Sequence, residues 1–375
     1  MTADRSPRSF IQPAGRLVGF LAFLYLFLVS VKLLGTGFEM FGGGFAERLI
    51  SSTSNPFVGL FIGILATSII QSSSTTTSTV VGFVSAGVLT IENAVPIIMG
   101  ANIGTAVTST IVSLGHVTRK EEFRRAIAAG TVHDFFNLFT VVILFPIEMA
   151  TGFLRRSALA LTSFLVGTDG LTFASPVKKI VGPAVHLAVS TVEKIAPDHT
   201  ALVVAILGIL LLFFSLYFIV RYAKGLALKR AEVVLDRFMG KSGIAGMVLG
   251  CAVTATIQSS SVTTSLLVPL AGAGIVRLEQ IFPITLGANL GTTVTALLAS
   301  LAGDVRGLTV ALVHLLFNIC GILLIYPLRP IRRIPIFLAT RLGDAAARAK
   351  RNAFFFIIGV FFVLPALMIF LSKVF

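Results

Sequence analysis

Charge is scarce in this chain. Asp, Glu, Lys and Arg make up 12% of its 375 residues against 55% hydrophobic ones, and the mean hydropathy is +0.96. Soluble domains carry about 25% charged residues, so this much apolar surface excludes a water-soluble globule and calls for a lipid bilayer. Only two cysteines occur, Cys251 and Cys320, both inside apolar stretches. They read as small packing residues, not as a disulfide or metal site. No G-x-S-x-G, H-E-x-x-H or P-loop Gly-Lys pair is present, so hydrolysis and ATP-driven transport have no visible apparatus and the chain reads as no enzyme. No intramembrane carboxylate pair and no buried Lys or Arg stands out. The net charge of +14 reads as loop charge that orients a membrane chain, not as a nucleic-acid surface.

What is abundant is apolar runs approaching the roughly 20 residues that span a bilayer: 17–36, 94–114, 126–148, 201–220, 281–301, 306–327 and 353–374. The first follows Arg5, Arg8 and Arg16, so a signal peptide is the competing reading there. Its length and the lack of a small-x-small cleavage site favour a spanning helix.

Residues 71–109 align without a gap to 258–296 at a constant offset of 187, with 20 of 39 positions identical. Apolar composition does not place Gln-Ser-Ser-Ser, Glu92/Glu279, Pro96/Pro283 and Gly-Ala-Asn-x-Gly-Thr in register, so this is a duplication. It continues at offset 181, where His133 and Asn137 match His314 and Asn318, and Pro146 matches Pro327. The expected organisation is a first repeat over 1–150, a connecting segment over 151–200, a second repeat over 201–328, and a basic segment with a last helix over 329–375.

Loop charges address orientation. The loop leaving unit one holds Arg119, Lys120, Arg124 and Arg125, whereas its counterpart holds only Asp304 and Arg306. Before unit two stand Arg221, Lys224, Lys229, Arg230, Arg237 and Lys241, but before unit one little beyond Glu47 and Arg48. Opposite bias at equivalent places predicts inverted repeats, a cytoplasmic N-terminus and an external segment at about 149–200. Arg155, Arg156, Lys178 and Lys179 run against that assignment.

The arms flanking each QSSS motif are too short to span comfortably, so 57–89 and 244–276 are predicted as re-entrant hairpins with the motif at the tip. Lipid tolerates such a tip only when it is buried in protein or lines a wet cavity. The second arm of each hairpin would present free amides and the positive dipole end. Ser73, Ser74, Thr75, Ser260 and Ser261 are thus candidates to cradle an anion. Gln71, Ser72, Gln258 and Ser259, with the last carbonyls of the first arms, offer oxygens suited to an alkali cation such as sodium. Ser/Thr runs also serve helix packing, but two identical runs at two expected breaks favour a site.

Gly100-Ala-Asn102-x-Gly104-Thr105 and Gly287-Ala-Asn289-x-Gly291-Thr292 suggest breaks within 94–114 and 281–301. Close glycine packing is the competing reading. Such breaks would offer carbonyls and the Thr105 and Thr292 hydroxyls to sodium, and Asn102 and Asn289 to the anion. Glu92 and Glu279 suit capping of the following helix as well as coupling. His133 and His314, each four residues before an Asn, suit hydrogen bonding between helices.

At these motifs the sequence resembles the type II sodium-phosphate cotransporters: QSSS, PIIMGANIGT and EFRRA-A-GTVHDFFN over 71–137, then QSSSVTTS, PITLGANLGTT and H--FN over 258–318. The resemblance implies an all-α polytopic symporter that imports inorganic phosphate with sodium by alternating access and carries no organic cofactor. Composition and spacing leave other small anions (arsenate, sulfate, a carboxylate) or an anion channel open. Segment 149–200 has no N-x-S/T sequon and no cysteine, and the chain ends soon after its last span. Both point to a compact bacterial member in the plasma membrane.

Overall fold

The computed structural model describes residues 13–105, 107–166, 176–238 and 242–374, and every regular element among them is helical. Among the described residues seven helices are long and apolar enough to cross a membrane: Gly15–Glu39, Ile91–His116, Lys120–Thr151, Pro197–Lys224, Leu278–Ala302, Val305–Ile325 and Arg351–Ser372. Each overlaps one of the seven apolar runs. The chain is a multi-pass membrane protein.

The first unit opens with α1 (Pro13–Glu39), a short α2 (Gly43–Ser52) and α3 (Pro56–Ile70), with a 95° bend between α2 and α3. After α3 the chain turns at Gln71-Ser72 into α4 (Ser73–Ser85), then runs through α5 (Ile91–Gly104), α6 (Val107–Ser113) and α7 (Lys120–Thr151). At about 1.5 Å per residue, the 15 residues of α3 reach only about 22 Å. That falls short of a hydrocarbon core of about 30 Å.

Two helices, α8 (Phe153–Val166) and α9 (Pro176–Ile195), connect the units. Val181, Val185 and Val192 of α9 pack against Val29 and Leu33 of α1 and Val204. The second unit repeats the plan: α10 (Thr200–Phe238), the hairpin α11 (Gly243–Ile257) and α12 (Ser260–Gly272), then α13 (Leu278–Ala302) and α14 (Val305–Ile325). Most of the charges expected before unit two, from Lys229 to Lys241, have side chains outside the described residues. The basic α15 (Arg329–Arg348) packs on α7, where Arg124 pairs with Asp344 at 3.4 Å. Finally α16 (Arg351–Ile358) and α17 (Leu364–Val374) form one span across a π-turn at 359–363.

Of the two breaks expected at the Gly-Ala-Asn motifs, the one in unit one is present, where α5 ends at Gly104-Thr105, and the one in unit two is not, for a reason of packing. Gly287 and Gly291 lie in unbroken helix, Gly100 lies inside α5 and Gly104 ends it. A Cβ on Gly100 would overlap the Leu60 carbonyl, and one on Gly287 the Met247 carbonyl. Gly63 and Gly250 do the same from the other side, against the carbonyls of Ile97 and Ile284. Small faces thus let α5 lie backbone to backbone on α3, and α13 on α11, as small residues do in membrane helix pairs. In unit one α5 ends at Gly104 and α6 begins at Val107, whereas α13 is continuous over 278–302.

The hairpins are exchanged between units. The second arm α4 leans on α13 and α14, and α12 leans on α6 and α7. At the base of hairpin one, Arg306 covers Gly87 and donates to the Ser85 carbonyl at 3.1 Å. At the base of hairpin two, Arg125 covers Gly274. Gly87 and Gly274 both take a positive φ, 73° and 77°, so each arginine sits on a turn that favours glycine.

Candidate functional site

Each QSSS motif makes the same turn. Gln71 and Gln258 take left-handed conformations, φ 56° and 60°, and are the non-glycine residues with positive φ among those described. Such backbone costs on the order of 1–2 kcal/mol outside glycine, so something must hold it. Two bonds do: the Gln71 amide donates to Thr67 O at 2.7 Å and the Gln258 amide to Thr254 O at 2.6 Å. Threonine pairs then tie arm to arm, Thr67 to Thr76 at 3.0 Å and Thr254 to Thr263 at 2.8 Å.

The next residue caps the second arm. Ser72 Oγ accepts from Thr75 N at 3.2 Å, and Ser259 Oγ accepts from Val262 N at 3.4 Å. These two predicted cation ligands are therefore N-caps of α4 and α12. Capping leaves the amides of the first two helical residues, Ser73-Ser74 and Ser260-Ser261, without intrahelical acceptors.

Both tips face one cavity of about 500 Å³, lined by Gln71–Thr75, Gln258–Ser261 and the α10 side chains Phe213, Leu216, Tyr217, Val220, Arg221 and Lys224. Two helix N-termini thus converge on a space that also holds two cationic side chains. That arrangement suits a small anion. The Ser260 hydroxyl is buried at the wall and has no partner among the described residues.

The two tips are in unlike states. Gln258 is buried, its Oε1 accepting from Thr295 Oγ1 at 2.8 Å, while Gln71 is exposed. Thr108, which stands 187 residues before Thr295, has a buried hydroxyl with no partner among the described residues. Ser74 reaches across to both Gln258 O and Thr295 Oγ1, each at 3.4 Å.

Asn102, Asn289, Thr105 and Thr292 do not line this cavity. Thr105 and Thr292 donate to their own helices at Ala101 O and Ala288 O, 3.0 and 3.1 Å. The asparagines join a buried network that crosses the units. Asn289 donates to Asn137 Oδ1 at 2.7 Å, Asn137 donates to Asn102 O at 2.7 Å, and His314 Nε2 lies 3.3 Å from Asn102 Oδ1. Among the described residues no group of three or more His, Cys, Asp or Glu gathers as a metal site.

Sequence reading missed the part of α10. Arg221 and Lys224 read as topology charges, yet Tyr217, Val220, Arg221 and Lys224 follow helical spacing and turn one face toward the tips. That i, i+3, i+4, i+7 pattern was the available signal.

The described residues thus form an all-helical membrane protein with two helix-capped hairpin tips at one cavity. The profile of the Na+/Pi-cotransporter family matches residues 26–168 and 210–340, and the chain belongs to that family. It is 34% identical to sodium-dependent phosphate transport protein 2B of Homo sapiens over 95% of this chain and 65% of that protein. It is 37% identical to sodium-dependent phosphate transport protein 2A of Mus musculus over 93% of this chain and 66% of that one. The chain therefore spans about two thirds of the length of these relatives or slightly less. No solved structure matches it.

Proposed function

We propose that this chain imports inorganic phosphate together with sodium, by alternating access. The observation that carries this reading is the convergence of both QSSS tips on one cavity, with four uncommitted serine amides and Arg221 and Lys224 around it. Phosphate is held by the amides and hydroxyls of Ser73, Ser74, Thr75, Ser260 and Ser261. Sodium is held by oxygens of Gln71, Ser72, Gln258 and Ser259, whose neutral carbonyl and hydroxyl groups suit a hard monovalent cation. Thr105 and Thr292 lie outside this cavity with their hydroxyls given to their own helices, and Asn102 and Asn289 couple the two units. The names of the relatives support this choice of anion and cation.

The unlike tips support the alternating-access part. In two units of one plan, Gln258 is folded onto Thr295 while Gln71 has left Thr108 unpartnered. A carrier open to one side has this kind of asymmetry, and the opposite state exchanges the two roles. A cytoplasmic N-terminus in a bacterial plasma membrane goes with a cavity open to the cytoplasm, a reading that Arg221 and Lys224 in its lining support.

Liposomes containing the protein should accumulate labelled phosphate only with an inward sodium gradient. Uptake indifferent to sodium overturns the coupling. Competition by arsenate, sulfate and small carboxylates reads the anion selectivity.

A further inference from the structure

A second cavity, of about 460 Å³, lies at the other end of α3. The first cavity touches Ile70 at the C-terminus of that helix, and the second touches Pro56 at its N-terminus, so the two are about 22 Å apart along the helix. Its charged lining is Glu92, Glu148, Arg155 and Arg156. At about 30 Å³ per molecule of liquid water, the space holds roughly 15 waters. This is a vestibule and not a tight site.

The charges there are not equivalent. Glu148 is buried and spent on backbone: its carboxylate accepts from the amides of Leu154 and Arg155 at the start of α8. Glu92 is mostly exposed and pairs with Arg155. Arg156 is exposed and forms no ion pair with a described residue. The two carboxylates and two guanidinium groups cancel in formal charge, but Glu148 is turned to the α8 amides and Glu92 to Arg155, which leaves Arg156 facing the vestibule without an ion pair to a described residue.

We propose that this vestibule is a second oxyanion site, on the face of the protein opposite the tip cavity. Arg155 and Arg156 dock a tetrahedral oxyanion there before it reaches the tips, and Glu92 is the internal counterion that the anion displaces from Arg155. The inference rests on the phosphate-transport reading above. It also accounts for Arg155 and Arg156, the charges that run against the loop-charge assignment.

The test is initial-rate uptake of inorganic phosphate, with sodium, by right-side-out and inside-out membrane vesicles carrying the full chain. Arg155→Gln and Arg156→Gln should each raise KM about tenfold for phosphate offered to the vestibule face, consistent with loss of one charge-assisted contact. The maximal rate and the KM from the tip-cavity face should hold. Glu92→Gln should lower KM from the vestibule face, because it frees Arg155. If the ion pair were only structural, Arg155→Gln and Glu92→Gln would shift KM in the same direction, and that result overturns the proposal. Arg156→Gln breaks no ion pair, so an unchanged KM in that variant also overturns it. Wild-type vesicles that take up no phosphate with sodium instead overturn the transport reading, and the vestibule falls with it.

Discussion

The Ser74 hydroxyl of unit one lies 3.4 Å from the Gln258 carbonyl of unit two, across 184 residues of sequence. The tips of the two hairpins therefore touch, and the serines behind them share one space.

Ser74→Ala and Ser261→Ala should each lower sodium-driven phosphate uptake more than tenfold. Folding should change little, since a net hydrogen bond is worth only about 1 kcal/mol. Size-exclusion profile and thermal unfolding in detergent check the fold, and liposome uptake checks the activity. Uptake at the wild-type rate in either variant would count against a two-tip site.

Arg221→Gln and Lys224→Gln should raise KM for phosphate offered from the tip-cavity face and leave KM from the vestibule face unchanged. The effect should shrink as ionic strength rises, because exposed charges are screened beyond about 10 Å at 0.1 M salt. Uptake series at several salt concentrations measure it.

Thr295→Val removes the hydroxyl that holds Gln258, and Thr108→Val removes one that holds nothing in this conformation. The first should depopulate the state described and the second should trap it. In a background with Cys251 and Cys320 replaced, a cysteine at Ser259 reports the difference through a membrane-impermeant thiol reagent. Labelling from the tip-cavity face should rise with Thr108→Val and fall with Thr295→Val; equal labelling would contradict the exchange of roles between the two tips.

Gly100→Ala and Gly287→Ala should each destabilise the protein by about 1–3 kcal/mol, as overpacked contacts do. A methyl group at either position meets a carbonyl of the facing helix with no room to turn aside. An unchanged melting temperature would show that the helix pairs separate without cost.

The spans were legible because a bilayer reads a local property, the length of an apolar run, and each run is complete in itself. The QSSS tips were legible because their flanking arms are too short to span and serine is a favoured helix cap, both local facts, whereas the left-handed turn at Gln71 and Gln258 was not. The glycine motif of unit two misled because Gly287, like Gly100, suits either a break or a close helix contact. Only the presence of Leu60 or Met247 opposite decides between them. Asn102 and Asn289 were placed at the anion by chain position, but their partners Asn137 and His314 lie on other helices. Nothing in the spacing of one motif gives the register of a different helix.

The exchange of hairpins bears on how the protein is made. When α4 leaves the ribosome, α13 and α14, which it leans on, have not been synthesised, and the Ser85 carbonyl still lacks Arg306. The amino-terminal half thus waits in the membrane with one arm packed only on α1, α3 and α5 until nearly the whole second half has emerged. Insertion and assembly are separate events here, and a nascent chain truncated before α13 should be a substrate for membrane quality control.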